Sequence, residues 1–261
     1  MRSSFTPEQL SNGYWRIPFL CGIFVSFSGF YIKNYVRDHD RIEAILAEKS
    51  HEIDSEAHRH LTPFELACSK RLRGSLVSVM ASVLLWAGGF YIIFVWLVIF
   101  MTDLVDPPIE NAFTINALCL FVTMVLCFPF AGWLSDVYGR KFIMTCGSLG
   151  CALFAPSALS LVSEGSFGCI GAQMFLGVCL CLYGSPMCAW MAESFPPEAR
   201  LTSVAIGYNV AMALAGGLAP SMATWLVKEH GGVAVGYLLS AFATISMLGL
   251  HLAPKHGLLV E

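Results

Sequence analysis

The sequence predicts an all-α polytopic membrane protein, and three observations carry that expectation. Of 261 residues, 56% are apolar and only 13% charged, about half the charged share of a soluble domain. Crossing about 30 Å of hydrocarbon takes roughly 20 apolar residues in a helix. Seven runs of about that length are nearly free of charge, at 15–32, 76–102, 112–135, 142–163, 167–192, 202–227 and 233–253. They are too long and too uniformly apolar for barrel strands, which alternate, so a helical bundle is what satisfies their backbone polar groups in lipid.

In order along the chain, residues 1–32 hold an N-terminal segment and the first span, which Arg16 and Pro18 crowd at its start. No basic stretch followed by a short apolar core and a cleavage site precedes it, so no removable signal is expected. Residues 33–75 form the one long hydrophilic connection, with eight acids and eight bases. Within it Ile42, Ile45, Leu46, Ile53 and Ala57 recur at helical spacing, as a helix lying on the membrane surface would require, or the stretch is a solvated linker. Thr62, Pro63 and Glu65 have the spacing of a capping box that starts a second helix, and this would bring Lys70, Arg71 and Arg73 to the headgroups. A six-helix carboxyl bundle follows over 76–253, then a tail at 254–261. Basic residues orient the whole. Lys33 to Arg73 contribute eight, and Arg140, Lys141, Arg200 and Lys255 four more, against Arg2, Arg16 and Lys228 on the other side. That bias predicts an external N-terminus and a cytoplasmic C-terminus in the plasma membrane.

Several classes are excluded. A net charge of −3 and the absence of a basic stripe argue against nucleic acid as a partner. Nine of the ten cysteines fall inside apolar runs, where thiols act as small hydrophobes. His39, His51, His58 and His60 lack any metal-ligand spacing, so no metal is expected. No catalytic signature is present, and neither enzymatic activity nor a cofactor is expected.

The most informative stretch is Gly132-Trp133-Leu134-Ser135-Asp136-Val137-Tyr138-Gly139-Arg140-Lys141, placed between the third and fourth runs. It resembles the loop signature G-x-x-x-D-[RK]-x-G-R-[RK] of the major facilitator superfamily, with Val137 where that pattern has a base. Two further stretches resemble the metabolite:proton symporter branch, which includes proline/betaine and organic-acid carriers. Tyr14-Trp15-Arg16-Ile17-Pro18-Phe19-Leu20 is similar to the entry of that branch's sixth helix. Glu193-Ser194-Phe195-Pro196-Pro197-Glu198-Ala199-Arg200, followed by Gly207-Tyr208-Asn209, is similar to its passage between helices ten and eleven.

This resemblance implies a partial chain. Family members have twelve spans in two halves, and the seven runs here would be helices six to twelve, the carboxyl half plus one preceding helix. A missing N-terminal half or partner chain is then expected. Function would be secondary active transport, proton-coupled symport of a small zwitterion or organic acid such as proline, betaine or a carboxylate, with the bilayer, a small-molecule substrate and a proton as partners. Gly132, Asp136, Gly139, Arg140, Lys141, Glu193 and Arg200 would form a charge network that gates the cytoplasmic side.

From the residues themselves, Tyr91, Asn116, Gln173, Tyr208 and Asn209 are candidates for a substrate cavity, as polar or aromatic groups within spans. Tyr91 is favoured by an aromatic cluster with Trp86, Phe90 and Trp96. No Asp, Glu, Lys or Arg falls at mid-bilayer, so proton coupling rests on the resemblance alone. Small residues at Ser203, Gly207, Ala211, Ala215, Ala219 and Ala223 predict a packed seam, and Pro156, Pro186 and Pro220 predict bends. The alternative readings are a non-transporting membrane partner and a heptahelical receptor-like protein, which would leave the three motifs unexplained.

Overall fold

The computed structural model describes residue 13 and residues 16–20, 22–35, 62–162 and 164–253. The chain divides into two units, Met1–His60 and Leu61–Glu261. In the first, α1 spans Ile17–Leu20 and α2 spans Ile23–Tyr35. In the second, α3 covers Pro63–Ala67. The long helices are α4 Arg73–Leu104, α5 Ala112–Tyr138, α6 Arg140–Val162, α7 Ser166–Glu193, α8 Ala199–His230 and α9 Val233–Leu252.

Among the described residues, six helices are long and apolar enough to cross a membrane, at the last six of the seven expected runs. The first run differs. Gly22 N–H closes a turn on Phe19 O, which separates α1 from α2. The 13 described residues of α2 reach about 20 Å. The surface helix expected around Ile42–Ala57 lies outside the described residues, as does the tail beyond Ala253. At Thr62 the expected capping box forms. Thr62 Oγ1 accepts from Glu65 N–H and the Glu65 carboxylate accepts from Thr62 N–H, so two orphan donors of α3 are satisfied.

In lipid, apolar surface gives helices no reason to associate, so close backbone approach through small residues has to do it. Glycines mark the seams. A Cβ on Gly147 of α6 would come within 2.5 Å of Cys179 O in α7, and one on Gly236 of α9 within 2.4 Å of Pro156 Cα in α6. Between α9 and α4, Gly249 lies against Ala81, Ser78 O and Ser82 N. On α8, Ser203, Ala211, Ala215, Ala219 and Ala223 are all buried, and Gly207 faces Val79 of α4, so the expected seam is present. Thus α4 is packed by α7, α8 and α9, and α6 fills the space between α7 and α9.

Three of the long helices contain π turns. In α4, Leu97 N–H bonds back to Ile92 O and Val105 N–H to Phe100 O; in α5, Phe128 N–H reaches Thr123 O; in α8, Gly217 N–H reaches Met212 O. Two of these widened turns lie just before Pro129 and Pro220, residues that cannot donate to the ladder and so favour its rearrangement. A π turn leaves a carbonyl without its usual partner. Met101 O, skipped by Val105, accepts from Ile109 N–H instead, at 2.9 Å. Ile93 O, skipped by Leu97, accepts from a side chain on another helix. Pro156 and Pro186 stand inside α6 and α7, which run on past them as continuous helices.

Candidate functional site

Two polar groupings stand at opposite ends of α7. The first is the tight turn between α5 and α6. Gly139 has φ +93°, a conformation that side chains with a Cβ rarely adopt, although nothing would crowd one there. Its N–H caps α5 on Ser135 O at 2.9 Å. Gly132 serves packing instead, since a Cβ there would lie 3.0 Å from Ser185 Oγ of α7. The turn thereby sets Arg140, the first residue of α6, beside the end of α7. Its guanidinium contacts the Glu193 carboxylate through Nη1, and Nη2 lies 3.8 Å from Asp136 Oδ1 of α5. One cation therefore ties three helix ends. Arg140 is about one third exposed and the two acids are more open, at 69% for Asp136 and 58% for Glu193. Water therefore screens the network. Lys141 is exposed beside it. Arg200 takes a different place from the carboxylate partner expected, donating from Nε to Phe195 O at 3.4 Å.

The second grouping is neutral and buried. Gln173 of α7 is fully buried, and its Nε2 donates to Ile93 O of α4 at 2.8 Å and to Asn116 Oδ1 of α5. The acceptor on α4 exists because of the π turn. Gln173 Oε1 is buried and has no hydrogen-bond partner among the described residues. Gln173 stands seven residues into α7 and Asn116 four into α5, so both lie within about 10 Å of the helix ends rather than at mid-span.

The remaining candidates are placed apart from this pair. Tyr91 packs over Gly216 at the π turn of α8, where a Cβ would lie 3.0 Å from its ring. Its aromatic neighbours are only partly those expected. Trp86, Phe90, Tyr91 and Phe94 form a chain of rings with centroids 5.6–6.0 Å apart, and Trp86 also meets Phe128 of α5. Trp96 belongs elsewhere. It stacks on Phe100 at 5.2 Å and donates its indole N–H to Thr224 Oγ1 of α8 at 2.9 Å. Tyr208 is half-buried, and the exposed Asn209 turns back on its own helix, donating to Ala205 O at 2.8 Å. Of the five cavity candidates the structure joins Asn116 to Gln173 and leaves the other three outside that bond. Reading side chains alone missed the Ile93 carbonyl, because a backbone acceptor has no letter in the sequence; Pro129 and Pro220 flag two of the π turns, but nothing comparable flags the one at Tyr91–Trp96. Among the described residues no group of three metal-ligating side chains occurs.

A sequence profile of the Major Facilitator Superfamily matches residues 108–257, more than half of the chain. The chain belongs to that superfamily. It is 30% identical to the inner membrane metabolite transport protein YhjE of Escherichia coli over 94% of this chain and 55% of that protein. To the proline/betaine transporter of Salmonella typhimurium it is 24% identical, over 92% of this chain and 48% of that one. The chain therefore spans about half the length of the curated relatives it matches. No solved structure matches it significantly. These likenesses agree with the resemblance to the metabolite:proton symporter branch carried by the three sequence stretches, and the described residues form an all-helical, partial fold of the superfamily.

Proposed function

We propose that the chain is the carboxyl-terminal half of a secondary active carrier plus one preceding helix, corresponding to helices six to twelve, and that it works joined to the five helices that complete the twelve-span fold. The observation that carries the reading is Arg140, which links the ends of α5, α6 and α7 through Asp136 and Glu193. An exposed ion pair stabilises little, about 0–1 kcal/mol, so it can open and close at low cost. That is what a gate needs when helix bundles rock about a central site. The bias of basic residues toward the connections on this side supports a cytoplasmic gate, with the N-terminus outside and the C-terminus inside, and the carrier reading sets it in the plasma membrane. Glycine at 139, Lys141 beside the headgroups and Arg200 on the Phe195 carbonyl complete that face.

Substrate class follows from what the spans offer. They supply aromatic rings at Trp86, Phe90 and Tyr91, and amides at Asn116, Gln173 and Asn209, with Tyr208 on the same helix as the last. Aromatic faces and neutral amides suit a small zwitterion or a carboxylate such as proline or betaine. Within the six long helices every Asp, Glu, Lys and Arg stands within a turn or so of an end. The proton-coupling group is accordingly placed in the other half. The test is uptake of radiolabelled proline, betaine and dicarboxylates into vesicles bearing this chain together with the helices that complete the carrier, under an inward proton gradient. Gradient-dependent accumulation of one of them is expected, and accumulation of none overturns the reading.

A further inference from the structure

Ser246 of α9 is fully buried, and its hydroxyl makes two bonds to one rung of α4. It donates to Ala81 O at 2.9 Å and accepts from Leu85 N–H at 2.8 Å. Residues 81 and 85 are the acceptor and donor of a single i→i−4 pair, so the hydroxyl bridges the two ends of that rung. One residue along, the buried Tyr183 of α7 donates its hydroxyl to Ser82 O at 2.7 Å. Two other helices thus grip consecutive carbonyls of α4. The grip is registered by close packing. Gly249, three residues beyond Ser246, brings α9 against Ser78 O and Ser82 N, and Gly184, next to Tyr183, seats the Trp86 ring on α7.

A side chain inserted into the ladder is one of the few physical causes of a helix bend. We propose that the 81–85 rung is the bending point of α4, and that Ser246, with Tyr183 beside it, are positioning residues that hold it there. Buried between helices, the Ser246 hydroxyl needs both a donor and an acceptor from protein, and Leu85 N–H and Ala81 O supply them together, in competition with the bond those two groups make with each other. The bend lies one turn before Trp86 and two before Phe90, so it sets the direction of the aromatic chain on α4. The consequence for transport rests on the carrier reading above; the bend itself does not.

The test separates the two. Spin labels on Val77 and Ile99, both exposed on α4, report the length of the segment that contains the rung. Because the π turn at Tyr91–Trp96 already shortens this segment below the roughly 33 Å of a straight α-helix, the comparison is between the unsubstituted protein and its variants. In Ser246→Ala the Leu85 N–H and Ala81 O are left to each other alone, and the separation should lengthen with a narrower distribution. Ser246→Thr, which restores a hydroxyl, should reverse the change. Tyr183→Phe should move the separation the same way by a smaller amount, and it serves where the threonine variant does not fold. In the uptake assay, Ser246→Ala should slow maximal transport about tenfold with half-saturation altered less than about twofold, the size expected for one interhelical hydrogen bond. An unchanged separation in both Ser246→Ala and Tyr183→Phe overturns the bending point. A changed separation with full transport rate overturns the positioning role. Failure of the unsubstituted protein to transport counts against the carrier reading, and the label separations then decide the bend alone.

Discussion

Arg140 and Gln173 do the same job at opposite ends of α7 by opposite physics. Each ties three helices, and both connect to α5 and α7. Twenty residues of α7 separate Glu193 from Gln173, about 30 Å. The Arg140 network is charged and open to water, so its strength is discounted by screening and by the freedom of its side chains. The Gln173 network is neutral and more deeply buried, with Gln173 fully enclosed and Asn116 half-buried, so each of its bonds matters more, and an acceptor left empty is expensive. A carrier that moves at one end and holds at the other would distribute its polar contacts in this way.

The comparison is sharpest at Gln173. Gln173→Leu removes the donor to Ile93 O and Asn116 Oδ1 together, and should destabilise the protein by about 2–3 kcal/mol, seen as a lower midpoint of thermal unfolding in detergent. Adding Asn116→Leu should cost less than the sum of the two single changes, because a lost acceptor no longer needs its donor. Strict additivity would mean that the pair is not a unit.

Next comes the backbone under the charged end. Gly139→Ala forces a Cβ onto a positive φ and should cost about 1–2 kcal/mol by the same measurement, even though the site has room for the methyl group. A smaller loss would show that the turn adjusts.

Arg140→Gln should cost no more than about 1 kcal/mol, yet it should slow uptake and remove its dependence on ionic strength. A stability loss matching that of Gln173→Leu would break the contrast between an open network and a buried one. The smallest effect on folding belongs to Asp136→Asn, below about 0.5 kcal/mol given its exposure. Membrane insertion should be retained and transport slowed; uptake at the full rate would remove Asp136 from the gate.

The charged end was the legible one. Asp136, Gly139, Arg140 and Glu193 stand within short signatures, and charges near the ends of apolar runs attract attention because they are costly anywhere deeper. Even there the pairing was only half readable: Arg200 seemed as good a partner as Arg140, and which one reaches Glu193 depends on how α6 and α7 end side by side. The buried end was less readable. Asn116 and Gln173 were recognisable as polar residues within spans, but their common acceptor is a carbonyl released by a π turn, and Tyr91 and Trp96 look alike in the sequence while packing on different neighbours.

The sequence by itself determined the class and, to within about three residues at each end, where the six long helices lie, because the thickness of the hydrocarbon sets a length that composition reveals directly. It also determined the α8 seam, since small residues every fourth position have one use in lipid. Only the tertiary structure decided how the first run divides at Gly22, where the ladders widen, and which hydroxyls and amides take the carbonyls so released. Those outcomes turn on backbone groups common to every residue, and their partners are chosen by which helices pack together rather than by any local pattern.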